Sequence, residues 1–272
     1  MDKIKLGAEV YTWFMKEAGK AYENKLGHMI DIVSKSGFKG IEPIHFWMGD
    51  LSDPIKLSDT LQEHNIDLAG IALVLDWNNS KETDEEKRQA DQIISNLKHF
   101  PNAVLCTVQM PTGRHDLAER RLNLINNLNS VSKRAFDAGI KVSFHPNSPP
   151  TSTNRTEEDY NVILNGLDSS VTGWTPDVGH IANGDMNILD KMNEFSSLIN
   201  HVHYKDWDGN PEWKLMGEGK VDFKEITKWL VNQDYSGWIL CEDEADDAIN
   251  DPDGVTLHDG KYCEENLIPI IS

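Results

Sequence analysis

Long apolar runs are missing from this chain. No segment approaches the ~20 consecutive apolar residues that span a bilayer, and the opening "MDKIKLGAEVYTWF" lacks the extended apolar region and cleavage site of a secretory signal. The expected location is the cytoplasm, with no membrane partner. Cysteine is scarce as well. Cys106, Cys241 and Cys263 are odd in number and have no paired spacing, which argues against a disulfide framework and a thiolate zinc site. Buried free thiols are expected instead. Basic residues are few beside the acids, 26 Lys and Arg against 45 Asp and Glu, for a formal charge of -19. Such a chain repels phosphate backbones, so nucleic acid is not an expected partner. Neither GxGxxG nor GxxxxGK[ST] follows the first apolar stretch, which removes the usual nucleotide-binding signatures.

What is present is a regular alternation. Hydrophobic residues at 39% and charged residues at 26% are globular proportions, and 272 residues suit one α/β barrel, which takes ~250. Eight apolar, β-branched stretches read as strands: "KLGAEVYTW" from 5, "FKGIEPIHF" from 38, "DLAGIALVLDW" from 67, "NAVLCTVQM" from 102, "KVSFHPN" from 141, "VTGWTPDVG" from 171, "INHVHYKDW" from 199 and "GWILCEDE" from 237. Helical patterns lie between them, over 22–36, 55–64, 84–100, 116–138, 156–167, 186–194 and 222–232, with a last one over 264–271 interrupted by Pro269. Gly37 and Gly139 fall where helices end on a left-handed residue. Thr83 with Glu86 and Thr156 with Asp159 have capping-box spacing. The expected fold is α/β, a single-domain (β/α)8 TIM barrel over residues 1–272, with an open doubly wound sheet as the rival.

In a barrel the C-terminal strand ends share one mouth, and polar residues gather at those places here. The second strand ends with Glu42 and His45, the third with Asp76, the fourth with Gln109, and the fifth with His145 and Asn147. The sixth supplies Asp177 and His180, the seventh His203, Lys205 and Asp206, and the eighth Glu242 and Glu244. Each has an ordinary explanation when taken singly. Glu42 before Pro43 can bond the next turn, His145 can be a loop histidine, Lys205 and Asp206 can be a surface ion pair, and Glu242 is one acid in "CEDEADD". His201, two residues before His203 on the same strand face, is the more interior and reads as a packed histidine. Jointly the set is harder to dismiss, because several independent strands end in ligand-type residues. Imidazole and carboxylate without thiolate suit a catalytic divalent ion, Mn²⁺, Zn²⁺ or Co²⁺, with positions open to substrate. Such an ion eases proton removal beside a carbonyl, with a carboxylate or histidine as base.

The motifs "PDVGH", "HVHYKD", "GEGKVDF" and "GWILCEDE", in this order, resemble the sugar phosphate isomerase/epimerase family with its xylose-isomerase-like barrel. The resemblance is strongest from Ile140 to Glu244. It implies that Asp177, His203 and Glu242 bind the metal, that Glu242 doubles as an acid/base group, and that His180 contacts substrate oxygens. It further implies that Lys205 and Asp206 organise the site or touch substrate, with Glu218 as an additional candidate in the following loop. The fifth strand departs from the family pattern. Where many relatives carry a glutamate ligand, "KVSFHPNSPP" offers His145, taken as the substitute ligand, and Asn147. That change weakens a symmetrical two-glutamate mechanism and makes Glu42 the candidate base.

The expected activity is a metal-dependent isomerase or epimerase acting on a small keto-sugar or keto-polyol through an enediolate. The alternative is a dehydratase or lyase of a keto-inositol or oxidised sugar that shares the first step. An apurinic-site endonuclease also spaces Asp and His three apart, but it needs more ligands and a basic surface. A sugar-binding barrel without metal is the non-enzymatic reading. Trp13, Trp47, Trp77 and Trp207 near strand ends suit either ring stacking or core packing. The substrate's name, the metal and a homo-oligomeric state are left open.

Overall fold

The computed structural model describes residues 3–17, 25–209 and 213–272. Two compact units divide the chain, one made of Met1–Ala69 with Val202–Ser272 and the other of Gly70–His201. In the first unit five strands lie side by side in the order Asp67–Leu68, Gly40–Glu42, Ile4–Glu9, Gly237–Cys241, Val202–Tyr204, every pairing parallel. The first and last long strands are therefore neighbours, with Ile4 opposite Gly237 and Ala8 opposite Cys241. That pairing of opposite chain ends is the one a closed barrel requires.

In the second unit Gly70–Leu75, Val104–Gln109, Lys141–His145 and Gly173–Trp174 follow one another in sequence order, again all parallel. Strands such as "GIALVL" and "VLCTVQ" are buried along most of their length. Parallel strands covered on both faces read as near-continuous apolar runs, and these do.

All eight expected strand segments contain a strand, yet several stop early. The first ends at Glu9 and gives way to the helix Tyr11–Glu17, and the second ends at Glu42 before the short helix His45–Trp47. The helix expected from Tyr22 is described as Leu26–Lys35, and its first residues, 22–24, lie outside the described residues. The helices Pro54–His64, Asp84–Leu97, Leu117–Asp137, Glu157–Gly166, Ile188–Glu194 and Phe223–Asn232 lie where the pattern put them.

Both capping boxes form, Thr83 with Glu86 and Thr156 with Asp159. Gly37 and Gly139 take φ of 85° and 81°, left-handed positions that a Cβ disfavours. At the C-terminus the expectation was too short: a helix runs Pro252–Asn266 before Ile268–Ile271. The three cysteines are buried, and none is in a disulfide. Among the described residues no helix is long and apolar enough to cross a membrane.

Candidate active site

In the first unit four strands bring residues at or near their C-terminal ends to one buried polar cluster. Glu9 and Glu42 end adjacent strands in register, and Glu242 follows the strand Gly237–Cys241, its amide donating to the Tyr204 carbonyl at 3.0 Å. His203 lies between carboxylates. Its Nδ1 is 2.8 Å from Glu242 Oε2, and its Nε2 is 3.3 Å from Glu42 Oε1. Lys205, on the segment leaving the same strand, donates to Glu242 Oε1 at 2.8 Å and also to Glu244 Oε1. All of these except Glu244 are buried.

Burial of this kind penalises ionised groups, and only mutual pairing offsets it. For His203, burial alone would lower the imidazole pKa, but the Glu42 and Glu242 carboxylates outweigh it and push it up to about 10. For Glu9, burial and then the neighbouring Glu242 and Glu42 charges raise the carboxyl well above its ordinary range, against His203 and the Tyr11 amide. Three buried carboxylates around one imidazole form a donor set that suits a divalent cation. Charge neutralisation and ligand type both fit.

Asp206 has a different task. It accepts the backbone N–H groups of Trp207 and Gly217 at 2.8 Å, Gly219 at 2.9 Å and Val221 at 3.2 Å, and so ties down the "GEGKVDF" loop. Gly219 has no room for a Cβ, which would come 2.2 Å from Asp206 Oδ1. Glu218 is exposed on that turn. His45 is half-buried beside Phe46, with ring centroids 5.1 Å apart.

The second unit has a polar cluster of its own, built on imidazole. The strand Gly173–Trp174 ends quickly, and Asp177 caps the helix Val178–Asn183 by accepting the His180 amide on Oδ1 at 2.8 Å. This is the physical content of the three-residue spacing in "PDVGH". A capping carboxylate and the residue at the third helical position are held on one side of a single turn. Asp177 Oδ2 lies 3.5 Å from His145 Nε2. The His145 and His180 rings meet edge to face at 5.6 Å. One donor atom from each of His145, Asp177 and His180 falls within 4.8 Å of the other two, all buried, so this trio also fits a metal's donor chemistry.

Gln109 and Asn147 serve the loop after the fifth strand. Gln109 Oε1 accepts from Thr153 Oγ1 at 2.5 Å, and Asn147 Nδ2 donates to the Gln109 carbonyl at 2.8 Å. Asp76 is exposed, and its carbonyl accepts from Gln109 Nε2 at 3.0 Å. His201 is fully buried.

The tryptophans divide. Trp77 is fully buried, whereas Trp13, bonded through Nε1 to Asp253 Oδ1 at 2.7 Å, lines a cavity of about 260 Å³ with Trp47. Sequence reasoning missed Glu9, because the apolar stretch was read past it to Trp13. It also missed Ser148 and Asn183, whose polar side chains meet His180 and one another only in the folded chain.

The xylose isomerase-like TIM barrel model matches residues 30–264. The chain belongs to that family. Its fold is the (β/α)8 barrel, and solved structures of similar fold cover nearly all of it. D-allulose 3-epimerase from Methylomonas sp. superposes with a TM-score of 0.75 at 16% identity, over 98% of this chain and 99% of that one. An IOLI protein whose crystal holds a zinc atom gives 0.74 at 18% identity over 98% of both. By sequence, an inosose dehydratase of Clostridium botulinum (strain Alaska E43 / Type E3) is 25% identical over 304 residues, covering 97% of each chain. The sequence relative is named for an enzyme activity, and the solved structures show the shared fold.

Proposed function

We propose that this protein is a divalent-metal-dependent dehydratase of a small keto-polyol, of the keto-inositol kind. The observation that carries the reading is the fifth strand, which ends in His145 beside Asp177 rather than in a carboxylate. The buried carboxylates Glu9, Glu42 and Glu242 belong to the first unit, and the buried imidazoles of His145 and His180 to the second. One carboxylate base with imidazole hydrogen-bond donors suits elimination better than it suits an epimerase, whose matched acid/base pair must do the same job on two faces. The inosose dehydratase relative, aligned along nearly the whole chain, supports the same choice.

The motif resemblance names His145, Asp177, His203 and Glu242 as the residues that would hold the metal. A bound divalent cation supplies Lewis-acid polarisation of the substrate oxygens, and Mn²⁺, Zn²⁺ and Co²⁺ all match the donor set. The zinc atom of the IOLI protein is in keeping with this. Glu42 takes the proton from the carbon beside the carbonyl, leaving an enediolate. Electrons then form the carbon–carbon double bond as the β-carbon–oxygen bond breaks, and the departing hydroxyl takes up the proton that Glu42 removed and leaves as water, with His180 as a hydrogen-bond donor to a substrate oxygen. Lys205 holds the Glu242 and Glu244 carboxylates in place and keeps their charge compensated. Mass spectrometry of the product from a keto-inositol tests the reading, because dehydration removes one water.

Epimerisation is the second reading, favoured by the fold shared with D-allulose 3-epimerase. It leaves the mass unchanged and incorporates solvent deuterium at the inverted carbon. Either product class is consistent with a small carbohydrate substrate.

A further inference from the structure

Ser148 follows the fifth strand in "HPNSPP" and is buried. Its Oγ lies 2.8 Å from His180 Nδ1 and 2.8 Å from Asn183 Nδ2. An amide nitrogen can only donate, so Ser148 Oγ accepts from Asn183. The hydroxyl hydrogen then has one acceptor of these two neighbours, His180 Nδ1. Deepening the proposed function, and resting on it for the substrate, we infer that Ser148 and Asn183 form a positioning relay that fixes the His180 tautomer. Nδ1 is the acceptor and Nε2 carries the hydrogen.

The consequence is chemical. A neutral imidazole with hydrogen on Nε2 presents a donor to a substrate oxygen, whereas a metal ligand bound through Nε2 must carry its hydrogen on Nδ1. His180 is thereby turned away from metal ligation although its donor atoms lie close to those of His145 and Asp177. The rest of the relay is held firmly. The Asn147 amide donates to Asn154 Oδ1 at 2.7 Å, the Ser152 amide donates to the Pro149 carbonyl at 2.8 Å, and Asp177 fixes the His180 backbone. Ser148 therefore has little freedom to choose another partner.

The test begins with ¹⁵N-histidine-labelled, metal-free protein, using His180→Asn to assign the His180 signals. Long-range ¹H–¹⁵N spectra are expected to show hydrogen on Nε2, with that preference lost in Ser148→Ala. Hydrogen on Nδ1, or an unchanged preference in Ser148→Ala, overturns the relay. On a keto-inositol, Ser148→Ala is expected to lower kcat about tenfold, the loss of roughly one hydrogen bond. Metal affinity and Tm should be kept, and Ser148→Thr should restore most of the rate. Loss of metal in Ser148→Ala matching that of His145→Ala would make His180 a ligand and overturn the inference. If no keto-polyol is turned over, the proposed function fails while the tautomer measurement still decides the relay.

Discussion

His203 and Glu242 meet through Nδ1 and Oε2 at 2.8 Å, both buried at the ends of neighbouring strands. The same imidazole reaches Glu42 at 3.3 Å through its other nitrogen. One ring therefore orders two carboxylates from different strands. Its own pKa, lifted to about 10 by those charges against the burial that lowers it, measures how strongly this cluster favours a positive centre. A divalent ion competes for the same attraction and displaces the proton. His203→Asn removes the ordering ring. Added Mn²⁺ or Zn²⁺ should raise the Tm of the parent protein, by linkage, and fail to raise that of the variant. An equal rise in both would take His203 out of the ligand set.

Lys205 is the charge that keeps the carboxylates together. Its ammonium is buried and donates to Glu242 and Glu244. Lys205→Met keeps the length of the stem but leaves two acids uncompensated, and breaking a buried pair in this way costs about 3 kcal/mol. Urea unfolding at neutral pH checks it. A midpoint within error of the parent would mean that Lys205 adds no stability.

Glu42 is fully buried and pairs with His203. If it is the base, Glu42→Gln should abolish exchange of the proton beside the substrate carbonyl in D₂O while the folded protein still binds metal. Retained exchange would pass the role to another acid, and Glu9, which ends the adjacent strand, would be the next to substitute.

Asp159 predicts how the fold responds to acid. Its side chain is fully buried, pairs with Arg114 at 2.7 Å and with Arg121, and accepts the Thr156 amide of its own capping box. Burial raises its pKa, but these donors together outweigh the burial and the net shift is downward. A carboxyl with a lowered folded pKa contributes stability that is present above its unfolded value. That stability is lost as the pH falls through the folded value. Asp159→Asn should therefore lower stability by about 3 kcal/mol at pH 7, the cost of stranding buried Arg121. The loss should shrink below pH 4, where the parent gives up the same interaction. Urea midpoints from pH 7 to pH 2 measure it, and a pH-independent difference would contradict the assignment.

The alternation of strands and helices was legible because buried parallel strands are written as apolar runs and helices carry their caps at fixed spacing. Strand ends were not legible. Nothing in "KLGAEVYTW" says that pairing stops at Glu9, because Val10 and Trp13 are as apolar and as buried as the strand before them. The helix Val178–Asn183 was hidden inside "PDVGHIAN", where Asp177 looked like a strand terminus and is also a cap. The helix Pro252–Asn266 has no clean apolar stripe, although Asp251 followed by Pro252 was a start signal that could have placed it. For the site, residue type at strand ends was enough to nominate the donors. Glu9, Ser148 and Asn183 were beyond reach, because their partners come from distant segments or depend on where a loop turns.

Asp177 and His180 are bound into one turn, yet substituting them should have unequal effects. Asp177 uses Oδ1 to cap the helix and turns Oδ2 towards His145. Asn caps a helix as well as Asp does, so Asp177→Asn keeps the turn while losing a negative metal donor, and dialysed protein should retain little metal by elemental analysis. His180→Asn removes a ring whose Nδ1 is already engaged by Ser148. That variant should keep its metal and lose turnover by about 10²-fold or more, the usual cost of deleting a hydrogen-bond donor to a reacting oxygen. Because the capping bond runs from the backbone amide of His180, neither change should unfold the helix, and near-parent Tm values for both variants would exclude misfolding as the cause. Equal metal loss in the two would mean that they act as a ligand pair, and His180 could then no longer be the hydrogen-bond donor to a substrate oxygen.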